Sequence, residues 1–314
     1  MNEHSPSAFD IEQAATRIAE HIHQTPVQTS QLINSALGCQ LFFKCENLQK
    51  VGAFKARGAL NAVAQLSSSG AVATHSSGNH GAALAYAARI YGRQAYVVMP
   101  STAPAVKKAA VAAYGATIIE CEPTLVAREA TLAQLVSETG AHFIPPYDHP
   151  HIIAGQGTAA LELMAQVTPA LDCVLTPVGG GGLLAGTAIA VKGCAPGVQV
   201  IGAEPLGACD ATDGFRSGQR VTEQTPNTLA DGLRTTLGEL NFAIMRAHVD
   251  NMLTVSEADI VAAMALLWTR LKLVVEPSSA VPLAAVMANP DRFAGKRVGI
   301  ILSGGNVDLA QLPF

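Results

Sequence analysis

From residue 71 onward the chain alternates short, almost unbroken apolar runs with longer stretches of helical apolar spacing. The runs are AVATHSS (71–77), QAYVVMP (94–100), ATIIEC (116–121), AHFIPP (141–146), CVLTPVG (173–179), VQVIGAEP (198–205), MLTVS (252–256) and RVGIILSGG (297–305). A strand that is apolar at every position has to be covered on both faces. Between such runs lie GAALAYAARIYG and EADIVAAMALLWTRLKLVVE, and Gly92, Gly115 and Gly140 close several helical stretches, as a helix C-terminus prefers. This βαβα pattern predicts an α/β fold with a parallel, doubly wound sheet flanked by helices. No internal repeat or low-complexity linker separates domains, and the least regular stretches are 145–157 and 205–236.

With 314 residues, 49% of them hydrophobic and 14% charged, the chain has the core-rich composition of a globular protein and room for two domains. A net charge of -4 with no basic tract argues against nucleic acid as a partner. No apolar run reaches the roughly 18 residues that span a bilayer, and MNEHSPSAFDIEQ lacks a signal-peptide core. A cytoplasmic location is therefore expected. The six cysteines form no CxxC pair and are expected as free thiols in a reducing compartment.

In sheets of this kind ligands bind beyond the carboxyl ends of the strands, where three loops stand out. Gly179–Gly182 follows a strand and precedes the helical LLAGTAIAVKG. Glycines there let backbone N–H groups close on an anion at a helix N-terminus, the makings of a phosphate cradle; a tight turn is the plainer alternative. SSGNHG (76–81) offers Ser76, Ser77, Asn79, His80 and backbone N–H groups to a carboxylate, or else simply caps a helix. SGGN (303–306) offers the hydroxyl of Ser303 to a ligand, or merely turns the chain. Lys55 lies in KVGAFKARGAL, between Phe54 and a helix expected to start near Arg57. Taken alone it reads as a surface lysine. Desolvated among small neighbours, its amine becomes available for Schiff-base chemistry.

FKARGA, SSGNHG, VGGGGL and SGGNVD, in this order and at these separations, resemble the fold-type II enzymes that use pyridoxal phosphate (PLP), a tryptophan synthase β-like group. Within them the chain resembles the serine/threonine dehydratase and serine racemase family, and also the threo-3-hydroxyaspartate dehydratases. The resemblance runs from about Thr25 to Asp308 and takes in KCENLQK, AGQGT, GAEP and LADGL. It implies a large PLP-binding domain of residues 1–69 plus 148–314, a small substrate-side domain of residues 70–147, and a homodimer. It also implies roles. Lys55 carries PLP as a Schiff base and removes the α-proton; Gly179, Gly180, Gly181, Gly182 and Leu183 hold the cofactor phosphate. Asn79 meets the phenolic oxygen, Phe54 packs on the ring and Ser303 faces the pyridine nitrogen. Ser76, Ser77, Asn79 and His80 take the substrate carboxylate, with Ser77 as a second acid/base opposite Lys55. Glu204, Ala208 and Asp210 match the family's divalent-cation site, whose hard oxygen ligands suit Mg²⁺, Mn²⁺ or Ca²⁺.

The implied reaction is loss of water from L-serine, L-threonine or threo-3-hydroxyaspartate to give a 2-oxo acid and ammonia, with serine or aspartate racemisation as the alternative and a non-catalytic binding protein as the third. A neutral serine at the pyridine nitrogen favours prompt loss of the β-hydroxyl over a long-lived carbanion. PPYDHPHIIAGQGT (145–158) resembles the segment common in threonine dehydratases, and Tyr147 stands where mammalian-type racemases carry asparagine. Val51 and Ala53 depart from those racemases' nucleotide-effector site. Arg128 is a candidate partner for a second substrate carboxylate.

Overall fold

A computed structural model describes residues 5–314. Its strands are β1 (Val27–Gln28), β2 (Gln40–Cys45), β3 (Val72–His75), β4 (Ala95–Pro100), β5 (Thr117–Cys121), β6 (His142–Phe143), β7 (Cys173–Pro177), β8 (Gln199–Pro205), β9 (Asn251–Val255) and β10 (Arg297–Leu302). They form two sheets instead of one, a six-stranded sheet in the order β1-β2-β10-β7-β8-β9 and a four-stranded sheet in the order β5-β4-β3-β6. Every pair is parallel except the edge pair β1–β2. Each of the apolar runs read from the sequence supplies one strand of β3 to β10; β1 and β2 are additions.

Burial on both faces explains the unbroken apolar runs. In β10, Ile300 and Leu302 pack with Val281 and Leu283 of the helix Pro277–Ala288, whereas Ile301 packs on the other side with Leu163 and Leu184. Leu163 belongs to the helix Pro150–Gln166 and Leu184 to Gly182–Cys194. These two helices meet backbone to backbone. A Cβ on Gly186 would stand 2.4 Å from the Ile153 carbonyl, and one on Gly155 would stand 2.6 Å from the Arg57 carbonyl in the helix Lys55–Ala64.

Two expectations are corrected. The stretch 145–157 contains the start of a long helix at Pro150. Its glycines, which made it look irregular, are close-approach positions, and its proline sits at a helix start, where proline is tolerated. The apolar stretch 257–276 is not one helix. It is α-helical only over Glu257–Leu266, passes through a π turn over Leu267–Leu271, and is stopped by Lys272 at φ 58. The residues after Lys272 leave the helix, and Glu276 reaches the end of β10, where its N–H donates to the Gly304 carbonyl (3.0 Å).

Candidate active site

The loops that follow β3, β7 and β10 open into one cavity of about 1700 Å³. Phe54, Lys55, Ser76, Ser77, Asn79, His80, Arg128, Gly179–Gly182, Leu183 and Ser303 all line it. Glu204, Ala208 and Asp210 do not.

Lys55 is the first residue of its helix. The preceding residue, Phe54, is held by its N–H to the Ser303 carbonyl (2.9 Å), which joins the lysine to the end of β10. Lys55 as a whole is half-buried, and its Nζ donates to the Pro146 carbonyl (2.6 Å). Burial lowers its pKa to about 8, against the opposing pull of the Glu276 carboxylate. Near neutrality, then, a usable fraction of this amine is uncharged.

Across the cavity β7 ends in the glycine loop and the helix Gly182–Cys194 begins. Gly181 holds φ +92, open to glycine but not to side chains at ordinary cost. A Cβ on Gly180 would lie 2.2 Å from the Tyr147 ring, and one on Gly182 would lie 2.9 Å from the Tyr147 carbonyl. The Gly180 carbonyl is itself fixed by the Asn241 amide (2.7 Å) and the Gly238 N–H (3.1 Å). The loop is thus rigid, bare of side chains and set at a helix N-terminus, whose unpaired N–H groups suit an anion.

After β3 the loop Ser76–Gly78 leads into the helix Asn79–Ile90. Ser76 Oγ accepts from the Gly78 N–H (3.2 Å), and Ser77 is half-buried. The expectation for the His80 ring needs correction. Its Nε2 bonds the Ile144 carbonyl (3.1 Å), and burial drives its pKa down to about 3. The ring is therefore neutral, with its one N–H already spent on a backbone oxygen, and Nδ1 is buried without a partner. It has no proton to give a carboxylate; at this position the backbone N–H in the first helical turn is the donor available.

Ser303 is buried, and its hydroxyl pairs with Ser279 (3.0 Å), which in turn bonds both the N–H and the carbonyl of Gly304 (2.7 and 2.6 Å). Asn79 reaches two ways. Its Nδ2 donates to both carboxylate oxygens of Glu276 (3.0 and 3.1 Å), and its Oδ1 accepts from Asn306 Nδ2 (2.8 Å). Glu276 is the residue that sequence reasoning missed. In VVEPSSA an acid ahead of a proline reads as an ordinary helix start. Only the π turn described above reveals that this carboxylate lines the cavity. Burial, with help from Asp231, raises its pKa to about 7.

Glu204 and Asp210 are both buried. The Glu204 carboxylate accepts from the N–H groups of Ala211 (3.2 Å) and Thr212 (2.7 Å) and from the Thr212 hydroxyl (2.7 Å). Asp210 Oδ2 accepts from the Leu237 N–H (2.7 Å), while Oδ1 is buried with no bonded partner. Among the described residues, no three or more His, Cys, Asp or Glu side chains gather as a metal cluster.

Residues 18–304 match the family model described as pyridoxal-phosphate dependent enzyme. The chain belongs to this family. It is 50% identical over 312 residues to a beta-hydroxyaspartate dehydratase of Paracoccus denitrificans (strain Pd 1222), covering 98% of this chain and 99% of that one. It is 48% identical to an L-threo-3-hydroxyaspartate ammonia-lyase of Saccharomyces cerevisiae, covering 98% and 95%. The crystal structure of serine racemase from Dictyostelium discoideum superposes with a TM-score of 0.92 at 50% identity, covering 97% of this chain and 99% of that one.

The family's cofactor carries a phosphate and an aldehyde, and the cavity offers a chemical match to each. The bare glycine loop could hold the phosphate, and the desolvated amine of Lys55 could condense with the aldehyde. One consequence is measurable. Covalent capture of PLP by the apo-protein should rise about tenfold per pH unit below the Lys55 midpoint and level off above it, because only the neutral amine attacks. The negative charge of Glu276 raises that midpoint, so Glu276→Gln should shift the profile to lower pH. Stopped-flow absorbance checks both; an unmoved profile would falsify the coupling.

Proposed function

We propose that the protein is a PLP-dependent ammonia-lyase that removes water from a small β-hydroxy amino acid, with 3-hydroxyaspartate as its preferred substrate and L-serine and L-threonine as lesser ones. The observation that carries this is a single cavity lined by a depressed amine, a glycine cradle and an arginine. Bound PLP supplies an electron sink that acidifies the substrate Cα–H. The chain's own groups do the rest. The first turn of the helix Asn79–Ile90, with Ser76 and the backbone N–H of Ser77, binds the α-carboxylate and fixes the substrate's orientation. Lys55 Nζ takes the proton from Cα. Asn79, braced by Glu276 and Asn306, and the hydroxyl of Ser303 orient the cofactor without adding a formal charge at its ring nitrogen. The β-hydroxyl leaves as water by taking up the proton removed from Cα, and the released enamine hydrolyses to a 2-oxo acid and ammonia.

Arg128 supports the dicarboxylic substrate. It lines the cavity beside His75, where a second carboxylate could meet the guanidinium through a charge-assisted bond. The 50% and 48% identities to two enzymes named for hydroxyaspartate support the same choice. Steady-state assays of 2-oxo acid release over L-serine, L-threonine and the threo and erythro 3-hydroxyaspartates test it. Arg128→Met should cost about 10- to 100-fold in kcat/KM on hydroxyaspartate and about 3-fold or less on L-serine. Equal losses on both would remove Arg128 from substrate selection.

Racemisation is the second reading. The half-buried hydroxyl of Ser77 in the cavity and the 50% identity to a serine racemase structure favour it. Ser77→Ala should abolish any inversion of L-serine while sparing its elimination; loss of both together would count against a separate role for Ser77. We extend the proposal to a divalent cation on Glu204, Asp210 and the Ala208 carbonyl, supported by the bondless Asp210 Oδ1. Added Mg²⁺ should raise Tm and EDTA lower it, with Asp210→Asn insensitive to both; a wild-type Tm that ignores Mg²⁺ refutes it. A cytoplasmic homodimer completes the proposal. Among the described residues no helix is long and apolar enough to cross a membrane, and sedimentation at micromolar concentration tests the dimer, a monomer there counting against it.

A further inference from the structure

Behind the cavity, and taking no part in its lining, lies a closed quartet of charges. Arg57 is fully buried and uses all five of its N–H donors. Nε and Nη2 bind Glu46 (2.7 and 2.8 Å), Nη1 and Nη2 bind Glu162 (2.7 and 2.9 Å), and Nη1 also binds the Thr158 hydroxyl (3.1 Å). Lys44, equally buried, donates to Glu162 (2.6 Å), Gln166 (2.8 Å) and the Thr25 carbonyl (2.7 Å). None of these side chains has a buried polar atom without a partner, so the quartet is not waiting for a ligand. Such an assembly is seldom a net source of stability, since well-packed apolar side chains do as well; fixing register is its better-attested use.

The register in question matters chemically. The helix Lys55–Ala64 has no local marker of its start, for Phe54 makes no side-chain cap bond and the first turn carries no acid. Arg57, two residues in, ties it to Thr158 and Glu162 on the helix Pro150–Gln166. The segment leading into that second helix holds the Pro146 carbonyl that takes the Lys55 Nζ, and Tyr147, the wall of the glycine loop. Gly58 and Gly155 let the two helices touch, but a glycine contact lets them slide. A planar fork gripping two carboxylates does not. A slip of one residue displaces the amine by about 1.5 Å along the helix, and misplacements of about 1 Å cost about 100-fold in rate.

We propose that Arg57 is a positioning residue: clamped between Glu46 and Glu162, it sets the reach of Lys55 Nζ relative to the glycine cradle. The proposal rests on the reading of Lys55 as the PLP-binding amine. Arg57→Lys keeps the charge and loses the fork. The readout is the rate at which apo-protein captures PLP, followed by borohydride reduction and peptide mass mapping of Lys55, alongside kcat and KM. Capture and kcat should each fall about 10- to 100-fold with KM within about 3-fold. Phe293→Leu, a core substitution away from the cavity that also lowers Tm, should capture at the wild-type rate. Wild-type capture by Arg57→Lys, or equal slowing in Phe293→Leu, overturns the proposal. If Arg57→Lys does not fold, Glu162→Gln decides: slowing of at least about 3-fold sustains the clamp, and an unchanged rate removes it. Failure of the wild type itself to label Lys55 would instead overturn the PLP reading, a result separate from these comparisons.

Discussion

Lys55→Ala should leave a protein that melts no lower than wild type, carries no borohydride-fixed PLP and turns over at least about 1000-fold more slowly. The loss of labelling follows from chemistry, because the other lysine lining the cavity, Lys107, is held as a charged amine in an ion pair with Asp231. The undiminished Tm follows from burial. Lys55 titrates at about 8 in the folded chain against 10.5 for an ordinary lysine. Between those values the unfolded chain binds more protons than the folded one, so wild-type stability climbs as pH rises from about 8 to 10.5. Below about 8 the burial of the ammonium is a standing penalty. The alanine variant lacks both the penalty and the slope. Differential scanning across that pH range, with mass spectrometry for labelling, checks each part. Retained labelling at another lysine, or a lower Tm at pH 7, contradicts the assignment.

Gly180→Ala should weaken PLP binding about 10- to 100-fold, the worth of one charge-assisted bond to phosphate. Its Cβ would stand 2.2 Å from the Tyr147 ring. The side chain is hit at its root, so relief requires the backbone of the loop or of Tyr147 to shift. The donors then no longer converge. Activity should recover partly at high PLP concentration, because the amine is untouched. Gly197→Ala, with nothing within 4 Å of the new atom, is the control and should bind normally. Equal affinity in both variants would show that the loop is not where the phosphate sits.

How much of this could be read beforehand depended on whether a residue's neighbours in sequence are its neighbours in space. The strands β3 to β10 were legible because being covered on both faces writes itself as an unbroken apolar run. The strand β2 was not, because QLFFKC carries a lysine where a buried strand should be apolar. Lys44 is tolerated there through Glu162 and Gln166, both more than a hundred residues away, and through the Thr25 carbonyl. Arg57 escaped for the same reason, since an arginine satisfied by acids 11 and 105 residues away looks like any surface arginine. The glycine loop and Lys55 were legible as motifs, whose meaning is local. Glu276 was not, because its place in the cavity depends on a π turn that no apolar pattern announces. His80 was legible as a position but misread as a donor; which nitrogen carries its proton is decided by a carbonyl sixty-four residues onward.

That histidine also changes how kinetic titrations of the protein ought to be interpreted. An inflection in rate near pH 6.5 is habitually credited to an imidazole. Here His80 stays neutral down to about 3, and His75, the other imidazole lining the cavity, is likewise pushed downward by burial and Arg128. Of the side chains lining the cavity, Glu276, raised to about 7, and Lys55, lowered to about 8, are better placed to bend a profile between neutrality and mild alkalinity. Histidine-selective reagents such as diethyl pyrocarbonate should therefore be poor reporters of the site.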